Sequence, residues 1–247
     1  MRLKKLLALA TASALAVTML AACSSGSNTS AGTTSDSNAG TSTSTPAPSG
    51  DKVTLQLGFE NSLSEPVGQA AEKWAELVAE KSNGTMELVL YPDSQLGDKS
   101  ELIDSMLLGE PVCTLADGAF YADYGVPDFG IVFGPFLFDN WEQCWTLIES
   151  DWYKEQCAQL EDKGLKLLAS NWAYGARHTL TVNPVNTVDD LAGMKIRVPD
   201  NTNFVETFTA FGAVPTPLAL SDVYSALSQG TIDGLENPLS DIYQNKF

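Results

Sequence analysis

VTLQLGFENSLSEPVGQAAEKWAELVAEKSNGTMELVLY, residues 53–91, decides the fold. Its first six residues, Val53 to Gly58, alternate apolar and polar side chains, which is the period of a strand. Ser64 then caps a helix whose Val67, Ala71, Trp74 and Val78 recur at helical spacing, and Asn83-Gly84 ends it. Met86 to Tyr91 reads as a second strand, closed by Pro92. Farther out, Lys99 to Leu108 reads as a helix stopped by Gly109, and Val112 to Ala116 as a short buried strand. Strand and helix alternate, so the chain is expected to be α/β, with crossover connections between parallel strands.

Downstream the pattern is uneven. Tyr121 to Phe138 is rich in aromatics, Gly and Pro and shows no clear period. Trp141 to Leu160 reads as a helix with a break near Asp151, and Leu165 to Ala169 as a strand. Arg177 to Val182 and Lys195 to Pro199 are strand-like, joined by a turn-and-helix link over Val188 to Gly193. Asn203 to Phe211 and Ser221 to Gln229 are helical. Asp233-Gly234 and Asn237-Pro238 mark a constrained bend. Asp241 to Phe247 reads as a helix with no cap or stop signal, so the chain is expected to be a fragment of a longer gene product. No internal repeat is present.

The N-terminus reads as an export signal. Arg2, Lys4 and Lys5 form a basic region, Leu6 to Met19 an apolar one, and Leu20-Ala-Ala-Cys23 places small residues before a cysteine. That is the pattern of a bacterial lipoprotein whose Cys23 thiol takes a diacylglycerol after the leader, residues 1–22, is removed. Residues 23–50 are almost all Ser, Thr, Gly, Ala, Asn and Pro, a composition that buries no core and behaves as a flexible tether. A globular body over 51–247 would then sit just outside the membrane. The chain carries 31 acidic and 14 basic residues, a net charge of −17. Without the three basic residues of the leader, 11 basic face 31 acidic residues, −20. Such a charge argues against nucleic acid and anionic lipid as partners. Three cysteines follow Cys23, at 113, 144 and 157, and no CxxC spacing suggests zinc or redox work. A Cys144–Cys157 bridge and buried free thiols both remain open.

Catalytic motifs are absent. The single histidine, His178, sits on an expected strand, and no nucleophile elbow, HExxH helix, P-loop or metal-ligand cluster is visible. The chain is read as a non-enzyme without cofactor. The distinctive charges are two arginines, Arg177 and Arg197, the only ones beyond the leader. A guanidinium is planar, permanently charged and suited to bidentate recognition of a carboxylate. Structural ion pairs with neighbouring acids are the competing explanation. Asn237, in Glu-Asn-Pro, either caps a helix or donates its amide to a ligand oxygen.

These residues carry a resemblance. Ser94-Gln-Leu-Gly97, Gly175-Ala-Arg177, Asp190-Leu-Ala-Gly-Met-Lys-Ile-Arg-Val-Pro199, Val223-Tyr-Ser-Ala-Leu227 and Asp233-Gly-Leu-Glu-Asn-Pro-Leu239 occur in that order. The chain from Val53 to Phe247 resembles the extracytoplasmic solute-binding proteins of TRAP (tripartite ATP-independent periplasmic) transporters, the family of C4-dicarboxylate and sialic-acid binders. The resemblance implies a two-domain, periplasmic-binding-protein-like α/β fold with a hinge, residues 51–173 forming domain I and 174–247 an incomplete domain II. Its C-terminal part would be missing, because family members continue well beyond Phe247. The protein would close around a small organic acid and deliver it to a permease of one small and one large membrane subunit. By the same resemblance Arg197 pairs with the ligand carboxylate, Arg177 and Asn237 help hold it, and Asp117 and Glu60 face the pocket from domain I. Leu220 stands where some members place an aromatic ring, and Trp172 lies five residues before Arg177, near enough to report closure. A ligand-sensing lipoprotein feeding a membrane receptor, and a binding protein of an ATP-driven importer, are the alternatives.

Overall fold

The computed structural model describes residues 51–247; the expected leader, Cys23 and the tether lie outside them. Strand β1 (Val53–Gly58), helix α1 (Pro66–Lys81) and strand β2 (Met86–Tyr91) form the parallel crossover unit expected from the opening stretch, in register from Val53–Met86 to Gly58–Tyr91. Helix α2 (Lys99–Leu107) leads to strand β3 (Val112–Thr114), which pairs in parallel with the other edge of β1. The first sheet is therefore ordered β2-β1-β3. Leu57 and Phe59 from β1 and its exit pack with Ala71 of α1 and Leu88 of β2. Each such buried large side chain contributes about 1.5–3 kcal/mol.

The unassigned middle resolves into short pieces: helix α3 (Gly118–Asp123) and a 3-10 helix over Pro127–Phe133. Neither is long enough to display a period in sequence. The long helix is two, α4 (Trp141–Glu149) and α5 (Asp151–Asp162), with Ser150 between them capping the second through a 3.1 Å bond from the Tyr153 amide. Phe129, Tyr153, Leu160 and Leu165 make a second core with Ile103 and Phe120.

A second sheet follows. It holds β4 (Arg177–Thr181), β5 (Lys195–Val198), β6 (Val214–Pro217) and β7 (Gly234–Pro238), in the order β4-β7-β5-β6. Strands β5, β6 and β7 run parallel, and β4 is antiparallel to β7. Helix α6 (Thr202–Ala210) covers it with Phe204 and Phe208 against Ile196 and Val198, and helix α7 (Val223–Ser228) packs Val223 and Ala226 with Leu235. The two sheets are tied through α3: Asn201 donates to the Ala119 carbonyl (2.9 Å) and to the Asp123 carboxylate (2.8 Å).

Four expectations are corrected. Ser64 does not cap α1; Glu65 holds the N-cap position ahead of Pro66, and the Ser64 hydroxyl pairs with Ser62 instead. Leu165 to Ala169 pairs with no strand among the described residues; Gly164, at φ 94°, turns the chain out of α5 so that Leu165 is buried against the second core. The Asp233 to Leu239 segment is no bend. Its turn-forming letters occupy β7, buried at every position, because two neighbouring strands satisfy its backbone. The last helix, α8 (Leu239–Gln244), does have a stop: Lys246 sits at φ 58°, and the amides of Lys246 and Phe247 donate to Tyr243 and Ile242, a Schellman turn with lysine in the usual glycine position. The three described cysteines, Cys113, Cys144 and Cys157, are free thiols.

Gly234 opens β7 because nothing larger fits. A Cβ there would lie 2.4 Å from the Leu180 carbonyl and 2.8 Å from Thr181 Cγ2. Gly234→Ala is expected to lower stability by about 1–3 kcal/mol, the usual cost of forcing an extra group into a packed interior; a urea-unfolding midpoint that does not move would refute this.

Candidate functional site

A cavity of ≈ 1370 Å³ is bordered by both sheets, and all seven residues singled out within 51–247 line it: Glu60, Asp117, Trp172, Arg177, Arg197, Leu220 and Asn237. Cys23 lies outside the described residues. Strand register places the charged groups. Arg197 of β5 stands beside Leu235 of β7, so by alternation Asn237 projects from the same face as Arg197. Glu236 and Arg177 take the opposite face, diagonal across the β4–β7 pair, where Thr179 faces Glu236. The two arginines thus approach the cavity from different faces of one sheet.

Their pairing differs accordingly. Arg177 is committed to Glu236: its Nε and Nη2 both donate to that carboxylate, Nη2 to Oε1 at 2.8 Å, and Nη2 also reaches the Glu236 carbonyl at 3.2 Å. Its guanidinium lies 5.1 Å from the Phe204 ring centre, 5.9 Å from Tyr174 and 6.0 Å from Phe133, within cation–π range. Burial disfavours its charge, but Glu236 outweighs that and raises its pKa above the ordinary arginine value.

Arg197 is 3% exposed and makes one protein hydrogen bond, Nε to the Leu218 carbonyl at 2.8 Å. Among the described residues no carboxylate forms an ion pair with it. Burial pulls its pKa down, against the more distant pull of Glu60 and Glu236. Beside it on β7, Asn237 is 2% exposed, and its Nδ2 finds no acceptor among the described residues. A buried donor left unpaired costs about 1–3 kcal/mol.

The opposite wall belongs to the first sheet. Glu60, just past β1, pairs with Nζ of Lys99 in the first turn of α2, their side chains 10% and 19% exposed. Burial opposes the Glu60 charge, yet Lys99, with Arg197 and Arg177 beyond it, holds the carboxyl below its usual range. Asp117 caps α3, accepting from the Ala119 amide at 3.0 Å. Burial raises its pKa despite Lys99 and Arg177. Trp172 sets its ring edge-on to Trp74 at 5.7 Å, and Leu220 is packed into the core with Val223 and Leu235. His178 is exposed, opposite Asn237 in the ladder.

Three residues escaped the sequence reading. Glu236 stood in the quoted Asp233 to Leu239 run, but its role follows only once that run is a strand. Lys99 was visible as a helix start, yet its pairing with Glu60, 39 residues earlier, depends on the crossover. Tyr174 gave no signal beyond lying two residues after Trp172. Among the described residues there is no cluster of three or more metal-ligating side chains, and no helix long and apolar enough to cross a membrane.

Comparison with known proteins gives this arrangement its context. Residues 57–247 match the family model for bacterial extracellular solute-binding protein, family 7. The chain is 31% identical over 199 residues to the sialic acid-binding periplasmic protein of Vibrio cholerae, an alignment covering 78% of this chain and 60% of that protein. It is 32% identical over 181 residues to the C4-dicarboxylate-binding periplasmic protein of Rhodobacter capsulatus, covering 73% and 54%. The crystal structure of a TRAP periplasmic solute binding protein from Ochrobacterium anthropi, with bound L-fuconate, superposes with a TM-score of 0.76 at 41% identity, covering 79% of this chain and 65% of that one. The chain therefore spans less than two thirds of the length of each. It belongs to the family 7 extracellular solute-binding proteins, and its fold is the α/β architecture of periplasmic binding proteins.

Removing the partner of Arg177 tests the buried pair. Glu236→Gln leaves a largely buried guanidinium without its counter-charge and is expected to destabilise the chain. The loss should lie between the ~1 kcal/mol of a surface pair and the ~3–5 kcal/mol of a fully buried one. Unchanged chemical unfolding would show that the pair contributes nothing.

Proposed function

We propose, taking that family membership as the premise, that the chain binds a small organic acid outside the cytoplasm and serves a TRAP-type secondary transporter rather than catalysing a reaction. One observation carries the reading: among the described residues the buried guanidinium of Arg197 has no carboxylate partner, and it lies beside the amide of Asn237, whose Nδ2 has no acceptor there. A ligand carboxylate would accept from the free end of that fork and from Asn237 Nδ2 together, satisfying both. Arg177, with Nε and Nη2 engaged by Glu236, would contribute its remaining N–H groups and its charge.

The far wall narrows the ligand class. Glu60 and Asp117 are acceptors, and Lys99 a donor, facing the arginines across the cavity. A second carboxylate there would meet two acidic groups, whereas hydroxyls could both donate to Glu60 and accept from Lys99. We therefore favour a hydroxylated monocarboxylate, the chemistry of the L-fuconate held by the Ochrobacterium anthropi relative. Leu220 and Trp172 would supply apolar contact. Residues 51–173 and 174–247 would act as two lobes closing on the ligand, expelling water and strengthening the charge-assisted bonds. The Leu20-Ala-Ala-Cys23 run supports lipid anchoring through Cys23 at the outer side of the cell membrane. The permease, one small and one large membrane subunit, would be the protein partner.

Arg197→Ala is expected to weaken binding of a hydroxylated acid by roughly 2–5 kcal/mol, the usual loss when one partner of a buried charge pair is truncated. Arg197→Lys should weaken it too, because an ammonium lacks the two-pronged fork. Calorimetric titration checks both, and near wild-type affinity in the alanine variant would sink the proposal.

A further inference from the structure

A second group of buried polar side chains, partly lining the same cavity as the arginines, spans the two halves of the fold. Glu65, the N-cap residue of α1, is 1% exposed, and Asp241, in the first turn of α8, is 2% exposed. Glu65 is well supplied with donors: Asn61 Nδ2 at 2.7 Å, the Ser62 amide at 3.0 Å and Asn245 Nδ2 of the α8 C-cap at 3.4 Å. Asp241 is poorly supplied. The Ser240 hydroxyl stands 3.5 Å from its Oδ1, and its Oδ2 is buried with no partner among the described residues. Tyr174 and Glu65 lie close enough to trade hydrogen bonds with it, and the Tyr174 hydroxyl accepts from Asn61 at 3.1 Å.

Two carboxyl groups in one dry site do not both ionise cheaply, because each charge raises the cost of the other. A proton on Asp241 Oδ2 removes the like-charge repulsion and satisfies the orphan oxygen in one step, by donating to Glu65. We propose that Asp241 carries a proton on Oδ2 and donates it in a hydrogen bond to Glu65, and that this bond fastens α8 to the start of α1 as a pH-sensitive latch. The groups facing Asp241 are Glu65 from α1, Tyr174 from the segment before β4 and Arg177 from β4 itself. Burial and Glu65 raise the Asp241 pKa to about 7, while Tyr174 and Arg177 oppose the rise. A carboxyl whose pKa is raised by folding stabilises the fold fully below the ordinary aspartate value and loses that contribution as pH climbs through the raised one. The latch is thus closed in mild acid and loosens through neutrality. It reaches toward the arginines as well, since the Tyr174 ring that touches it also lies 5.9 Å from the Arg177 guanidinium.

The test needs no ligand, so its failure is distinct from failure of the binding proposal. Melting of the full chain is followed from about pH 5 to about pH 8 beside Asp241→Asn, whose amide donates to Glu65 at every pH. The wild-type melting temperature is expected to fall by roughly 5–10 °C across that window, and the variant's to stay nearly level. Parallel curves, or a level wild type, would overturn the proposal. Should Asp241→Asn not fold, a carboxyl-carbon NMR titration of Asp241 in the wild-type chain decides the question: a midpoint near 7 supports the proton on Asp241, and one near the ordinary ~3.9 contradicts it.

Discussion

A guanidinium held 3% exposed with a single backbone carbonyl as acceptor is the constraint around which this structure is arranged. Arginine keeps its charge under any ordinary condition, so the chain cannot relieve Arg197 by neutralising it. In a body this acidic a carboxylate partner would be easy to provide. The fold provides none at ion-pair distance among the described residues, and it places a second unsatisfied donor, Asn237 Nδ2, on the same face of the same sheet. The deficit is local and directional. Costs of this kind are held in place by the surrounding structure and cluster at functional sites.

The remaining charges around the cavity behave differently, and the contrast gives the site its polarity. Arg177 is bound into Glu236 and boxed by Phe204, Tyr174 and Phe133; Lys99 is bound to Glu60. Both pairs are fixed furniture of the walls, with stabilities set by their own partners. Among the described residues Arg197 has no ion-pair partner and Asn237 Nδ2 no acceptor, so the proposed carboxylate site centres on them. The net charge of −17 offers no long-range attraction for an anion. Under the proposed function, recognition of an anion rests on this short-range geometry and its charge-assisted bonds.

Much of the first sheet was legible because local signals agreed with tertiary ones. The alternation in Val53 to Gly58, the helical spacing of Val67, Ala71, Trp74 and Val78, and the break at Asn83-Gly84 point to the same crossover unit, and it formed. The second sheet was harder at its centre. Gly234, Asn237 and Pro238 are turn residues by local preference, yet β7 is buried throughout because β4 and β5 claim its backbone on both sides. Tertiary pairing overrode composition there. The candidate residues were recognisable from the two lone arginines and from family resemblance. The division of labour between them was not: whether an arginine is free or occupied depends on Glu236 across a strand pair that only the folded register reveals.

Charge recognition at Arg197 is the feature most open to direct test. The direct measurement is a tryptophan-fluorescence titration of the chain, using Trp172 as a nearby reporter, with a hydroxylated monocarboxylate such as L-fuconate and with its neutral amide. Saturable binding of the acid, with no response to the amide at the same concentrations, is the predicted result. Equal binding of the two would contradict it, since an uncharged ligand gains nothing from an unpaired buried guanidinium.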